Sequence, residues 1–159
     1  MTQKAQYNIK IRRGKRTDIP ALRALLSPAV KPDIPKQETR YWRRLAADPS
    51  IDFYVAEHAG TLQGMVLVCY IRRLDYHGWC AVLDFVVSVS TAEAEREDMS
   101  GVRNDIGQAL LDFAKARAHK RGCQQLLVHR LEPDAQLKQE LLTRNGFQPA
   151  GPLFSCSLS

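Results

Sequence analysis

The chain has 159 residues, 45% of them hydrophobic and 25% charged, which suits one domain with a substantial core and excludes two comfortable ones. Its longest apolar run, Met65 to Ile71, is strand-sized, so no membrane partner is expected. The formal charge of +6 comes from 23 Lys and Arg against 17 Asp and Glu. Basic residues gather at Lys10, Arg12, Arg13, Lys15 and Arg16, at Arg40, Arg43 and Arg44, and at Arg117, Lys120 and Arg121. No interleaved aromatic stacking pattern accompanies these clusters as a nucleic-acid surface would need, so they read as solvated faces, a few of which would suffice for a small anionic ligand.

Met1-Thr2-Gln3-Lys4-Ala5-Gln6-Tyr7 lacks the apolar core of a secretion signal, and a cytoplasmic location is expected. Tyr7-Asn8-Ile9-Lys10-Ile11-Arg12 alternates with the strand period. Thr17 or Asp18 then caps a short helix that tolerates Pro20 in its first turn and places Ile19, Leu22, Leu25 and Leu26 on one face. Pro28, Pro32 and Pro35 break the pattern. A second helix is predicted from Lys36 to Ala47, with Tyr41, Trp42 and Leu45 on its apolar side.

Phe53 to Glu57 and Leu62 to Leu74 read as strands of a hairpin turned at Ala59-Gly60. A turn at Asp75 to Gly78 leads to a third, Trp79-Cys80-Ala81-Val82-Leu83-Asp84-Phe85-Val86-Val87. Thr91 to Gly101 is polar and acidic, and reads equally as a loop or a short exposed helix. Ile106, Ala109, Leu110, Phe113, Ala114 and Arg117 then recur at helical spacing up to a stop at Arg121-Gly122. Gln125 to His129 is the next strand; following a helix, it is expected to lie parallel to the Trp79 strand. Pro133 opens a further helix through Leu137 and Leu141, and Phe147 to Pro149 and Leu153 to Leu158 supply closing strand material.

The chemistry-bearing stretch is Asp105-Ile106-Gly107-Gln108-Ala109-Leu110-Leu111, between the Trp79 strand and the long helix. A glycine in the first turn of a helix gives a ligand close access to free backbone amides, and the helix dipole favours a phosphate there. A close-packed helix entrance explains the same residues equally well. Cys69, Cys80, Cys123 and Cys156 have no paired short spacing, so reduced buried thiols are expected. His58, His77, His119 and His129 do not cluster with them, and no metal is expected.

This order of elements, with Gly60-Thr61-Leu62-Gln63-Gly64, Leu83-Asp84-Phe85-Val86-Val87, Ile106-Gly107-Gln108-Ala109-Leu110-Leu111 and Arg144-Asn145-Gly146-Phe147, resembles the GNAT family of acetyltransferases over nearly the whole chain. Tyr76-His77-Gly78-Trp79 and Gly151-Pro152-Leu153-Phe154 look closest to its small-amine branch, which includes aminoalkylphosphonate acetyltransferases. The resemblance implies one acetyltransferase domain over residues 1–159: α/β, with a splayed mixed sheet of six to seven strands and about four helices. It also implies acetyl-CoA as co-substrate in the split. Pantetheine would pair with Phe85, Val86 and Val87, and the diphosphate would lie at Arg103, Asn104, Asp105, Ile106, Gly107, Gln108 and Ala109.

The chain departs from the family pattern at defined positions. The loop normally reads Arg/Gln-x-x-Gly-x-Gly/Ala, but Val102 replaces its first residue and Asp105 its first glycine, with Arg103 one position away. Asp105 is expected to weaken cofactor binding relative to glycine. A frequent tyrosine, the usual proton donor to the leaving thiolate, is Leu142 here, and the usual asparagine earlier in that helix aligns with Ala135.

Acetyl transfer needs a neutral amine, a polarised thioester carbonyl and a proton for the thiolate. The resemblance puts the carbonyl at the Val87 amide and makes Asp84, directly or through water, the group that accepts the amine proton. Asp84 reads equally as the partner of an arginine or of a backbone group, and Glu57 and His129 are weaker alternative bases. Tyr41, Trp42, Tyr70 and Tyr76 are candidate walls of an acceptor pocket, and Arg72 or Arg73 candidate holders of an acidic acceptor. The implied activity is an N-acetyltransferase acting on a primary amine of a small molecule; the alternative is a GNAT-like binding or regulatory module. A homodimer is left open.

Overall fold

The computed structural model describes residues 8–26, 35–74, 78–87, 99–128 and 135–148. These form a five-stranded mixed sheet and four α-helices. In chain order they are β1 (Ile9–Arg13), a 3-10 turn (Arg16–Asp18), α1 (Ile19–Leu26), α2 (Lys36–Ala47), β2 (Ile51–His58), β3 (Thr61–Arg73), β4 (Gly78–Val87), α3 (Met99–Lys120), β5 (Cys123–Val128) and α4 (Ala135–Arg144). The sheet order follows the chain, β1-β2-β3-β4-β5. The first three pairings are antiparallel, and β4 to β5 is parallel, as a helical crossover requires. The chain divides into two compact units: residues 1–129, with the sheet and α1 to α3, and residues 130–159, with α4. Six to seven strands were expected. Of the closing material, Phe147 and Gln148 are not strand, and Pro149 and Leu153 to Leu158 lie outside the described residues.

The β2–β3 hairpin turns on Ala59 (φ 49°) and Gly60 (φ 77°), the two left-handed residues that match strand twist in a two-residue turn. Just beyond it Ala56 faces Gly64 and Glu57 faces Leu62, so Gln63 is the extra residue of a bulge.

Register sorts the side chains onto two faces. On one, Ile51, Phe53, Val55, Met65 and Leu67 pack with Ile19, Leu22, Leu25, Trp42 and Leu45 from α1 and α2. The Trp42 and Phe53 rings lie 5.9 Å apart. Tyr41, expected on that apolar side, is 61% exposed. Trp42 and Leu45, three apart, define the buried stripe alone.

The other face carries Asp52, Tyr54, Val66, Val68, Tyr70, Ala81 and Leu83, and α3 lies across it. Ile106, Leu110, Ala114 and Ala118 recur every four residues, all buried, and Gly107 is buried beside them. The Tyr54 and Phe113 rings meet edge to face at 4.5 Å.

β1 is tied to the turn before α1 by one arginine. Arg12 donates to both oxygens of Asp18, at 2.7 and 2.8 Å, and to Glu57 Oε1 at 2.7 Å. Asp18 also accepts the Lys15 amide at 2.7 Å. It therefore bonds backward along the chain to its own turn. These bonds, Arg12's first, hold the Asp18 carboxyl below its ordinary value of 3.8. A depressed native value means the contribution to stability is complete above 3.8 and lost as pH falls through the lower folded value. Asp18→Asn should lower the urea midpoint at pH 7 and flatten its acid limb, so that the two proteins converge as pH falls through the lowered folded value. Parallel curves down to that pH would refute this role.

Gly14 is dictated by sterics. Its amide donates to the Phe53 carbonyl at 3.0 Å, and a Cβ there would lie 1.9 Å from Phe53 Cε1. Phe53 is a buried core ring and cannot swing away freely. Gly14→Ala should cost about 1–3 kcal/mol in chemical denaturation, the range for forced overpacking.

Candidate active site

β4 runs to Val87 and pairs with β3 along its whole length, Gly78 with Arg73 through Val87 with Gly64. Its ladder to β5 is shorter. It starts at Trp79 with Cys123 and ends at Leu83 with Val128. Among the described residues, Asp84, Phe85, Val86 and Val87 thus have a strand on one side only. An open strand edge offers backbone donors and acceptors to any ligand that carries amides of its own.

Asp84 follows Leu83, the last residue of β4 that pairs with the described part of β5. It lies opposite Leu67, which places it on the α1–α2 face of the sheet, and it is half-buried. No arginine or lysine among the described residues pairs with it. Its charge, together with burial as the larger cause, raises the thiol of Cys69. Cys69, Cys80 and Cys123 are free thiols. No group of three metal-binding side chains occurs among the described residues.

The helix that follows does not start where sequence periodicity placed it. α3 begins at Met99, so Asp105, Ile106, Gly107, Gln108 and Ala109 sit in its second and third turns. Their amides belong to the i to i−4 ladder; the free amides are those of the first turn, around Met99 to Gly101. Gly107, expected in the first turn, thus lies in the third turn of α3. Gly107 is buried. Gln108 donates to Asp112 at 3.0 Å, along the helix. The backbone of Arg103 and Asn104 lies between the free turn and Asp105. Because β5 is parallel to β4, the connecting α3 runs antiparallel to both, and its free turn faces the Val87 end of β4. The open edge and the free amides therefore share one end of the sheet.

The other candidates disperse. Glu57 is engaged by Arg12, with a closest approach of 2.6 Å, at the β1 side of the sheet. His129 and Tyr76 lie outside the described residues. Trp42 packs in the α1–α2 core, whereas Tyr70 lies on the opposite face, where its hydroxyl donates to Asp52 at 2.8 Å; the two cannot wall one pocket. Arg72 and Arg73, successive residues of a strand, point to opposite faces.

The residue that sequence reasoning missed is Asp52. Nearly fully buried, it accepts Arg117 at 3.1 Å, Arg121 at 3.2 Å and Tyr70. Arg117 and Arg121 had been read as solvated. Burial, with the Asp52 bond behind it, raises the Tyr70 phenol. A lone aspartate opening a strand carries no pattern; only the register brings it under α3.

No family model and no curated protein matches the chain in sequence. Solved structures match it in shape. A transcriptional regulator from Bacillus halodurans shares 20% identity at a TM-score of 0.76, covering 95% of this chain and 100% of its own. A predicted acetyltransferase from Clostridium acetobutylicum, solved with acetyl-CoA, shares 16% at 0.64, covering 94% and 96%. An aminoglycoside acetyltransferase from an uncultured soil metagenomic sample, in complex with sisomicin, shares 15% at 0.68, covering 95% and 97%. The fold is GNAT. Within the GNAT fold, the opening between β4 and β5 is where the resemblance in sequence put acetyl-CoA.

Proposed function

We propose that the chain, acting as one domain over residues 1–159, is an N-acetyltransferase that moves the acetyl group of acetyl-CoA to a primary amine of a small molecule. The observation that carries this is the one-sided stretch Asp84–Val87, which opens beside the free first turn of α3. Pantetheine amides would extend the sheet along Phe85, Val86 and Val87. The diphosphate would meet the free amides of the first turn of α3. The thioester carbonyl would take the Val87 amide, and Asp84, half-buried and without a cationic partner among the described residues, would accept the amine proton. The acetyltransferases of like fold, one solved with acetyl-CoA and one with the amine-bearing sisomicin, support this class of reaction. The small-amine, aminoalkylphosphonate-like branch is the acceptor class put forward; most of the residues behind that likeness lie outside the described ones.

Leu142 favours a second reading. It is buried and apolar near the end of α4, where the family's proton donor is a tyrosine. Its carbonyl accepts the Phe147 amide and that of Thr143 accepts Gly146, a Schellman stop with Gly146 at φ 81°. A GNAT-shaped module that binds without turnover fits this site, and the Bacillus halodurans relative in shape is called a transcriptional regulator. Calorimetric titration with acetyl-CoA, then an acetylation screen on an amine panel, separates the readings. Binding with turnover supports the enzyme; binding without turnover on any amine, or no binding at millimolar cofactor, overturns the enzyme and supports the module.

The helix start also gives a specific expectation for Asp105. With its amide inside the ladder, Asp105→Gly should change CoA affinity less than about twofold and cost a few tenths of a kcal/mol in helix propensity. Marked tightening would put the diphosphate at Asp105 itself.

A further inference from the structure

At the other end of the sheet, a cavity of about 350 Å³ is lined by Tyr70, Trp79 and Arg121. Two guanidinium groups here stack on aromatic rings, Arg121 at 4.2 Å from the Tyr70 centroid and Arg72 at 4.7 Å from that of Trp79. Register explains the grouping. Arg72 pairs with Trp79 across β3 and β4, Tyr70 lies two residues before Arg72 on the same face, and Trp79 pairs with Cys123, two residues after Arg121.

Among the described residues the charges here do not balance: Asp52 is the one carboxylate in the group, and it accepts from Arg117 and Arg121 together. Arg121 spends one further donor on the Pro49 carbonyl, at 2.9 Å. Arg72 makes no hydrogen bond or ion pair among the described residues, and Trp79 is 38% exposed. A guanidinium stacked on a ring keeps its in-plane N–H donors directed outward, while the ring beside it offers a face. An excess of oriented donors next to aromatic surface suits a flat ligand that carries negative charge. The volume suits a small molecule.

We infer that this cavity binds a planar aromatic ligand bearing a phosphate or carboxylate, at a site separate from the β4–β5 opening. α3 separates the two ends by its length: its 22 residues span about 33 Å at 1.5 Å per residue. Neither the cofactor nor the acceptor is needed for this binding.

The chain has two tryptophans, which makes the test direct. Trp42 is buried on the opposite face and serves as the internal control for the indole N–H signal of Trp79. The uniformly 15N-labelled full chain is titrated with adenosine 5′-monophosphate, 4-hydroxybenzoate, adenosine and inorganic phosphate, each with and without saturating CoA. At least one ring-bearing anion should shift the Trp79 signal saturably in the millimolar range and leave Trp42 still, and which one does so identifies the source of the negative charge. Adenosine and phosphate should bind at least about fivefold more weakly, since each lacks half of the recognition. Arg72→Gln, at a side chain that makes no hydrogen bond or ion pair among the described residues, should weaken binding at least about fivefold while moving the melting temperature little. Arg121→Gln should weaken it further. A Trp79 signal unmoved by both anions at about 20 mM, or equal binding in Arg72→Gln, would overturn the inference. So would loss of the shift once CoA is bound, which would place the ligand in the cofactor opening. The titration without CoA stands whether or not the acetyltransferase reading holds.

Discussion

Asp84→Asn is expected to lower acetyl transfer to an amine about 10²–10⁴-fold, the usual contribution of a positioned general base. The expectation rests on the acetyltransferase reading and on position. Asp84 is the first residue of β4 beyond the end of the β5 ladder, and Glu57, the competing carboxylate, is held by Arg12. Asparagine matches the shape of aspartate and leaves the backbone of Phe85 to Val87 as it was, so acetyl-CoA affinity should be nearly unchanged. Raising the pH should recover part of the lost rate, because more of the amine is then neutral before it binds. A rate loss with unchanged affinity and alkaline rescue assigns proton acceptance to Asp84. Full activity at neutral pH would remove it from the mechanism and return attention to His129.

Asp52→Ala should destabilise the fold by about 2–4 kcal/mol, toward the lower end for breaking a buried ion pair, since Arg117 and Arg121 are 30% and 35% exposed and water recovers part of the loss. For a chain of this size that is a fall in melting temperature of roughly 5–12 °C. The Tyr70 hydroxyl loses its acceptor in the same change, and the alanine leaves space under α3. Adding Arg117→Met to Asp52→Ala should cost less than the sum of the two single changes, because the arginine has already lost its partner. Strict additivity in a double-mutant cycle would show that the pair contributes through packing alone. A loss under about 0.5 kcal/mol would place Asp52 among ordinary surface residues.

The fold was largely legible because its strands announce themselves. Phe53 to Glu57 and Leu62 to Leu74 carry β-branched and aromatic residues around an Ala-Gly turn, and the structure returns that hairpin with both turn residues left-handed. The start of α3 was not legible. Thr91 to Gly101 has no apolar period, so nothing in that pattern singled out a beginning six residues before Asp105. The ends of helices were easier, since Gly122 (φ 74°) and Gly146 (φ 81°) are left-handed stops with a chemical cause. Site residues fared less well for a geometric reason. Asp84 and the open edge follow from the strand pattern with the resemblance, but which of Tyr41, Trp42 and Tyr70 share a face depends on register and helix rotation. The pairing of Asp52 with Arg117, 65 residues apart, has no local trace.

The identity between sheet order and chain order bears on how the molecule acquires its shape. β2, β3 and β4 are successive antiparallel neighbours, so this meander forms from one continuous stretch, Ile51 to Val87. β1 must wait for α1 and α2 to be looped out before it finds β2, and β5 cannot dock until the crossover through α3 has been traversed. Contacts close in sequence form with the least loss of chain entropy. During synthesis the meander would leave the ribosome whole while α3 was still being made. The last edge to close would be the parallel one, between β4 and β5.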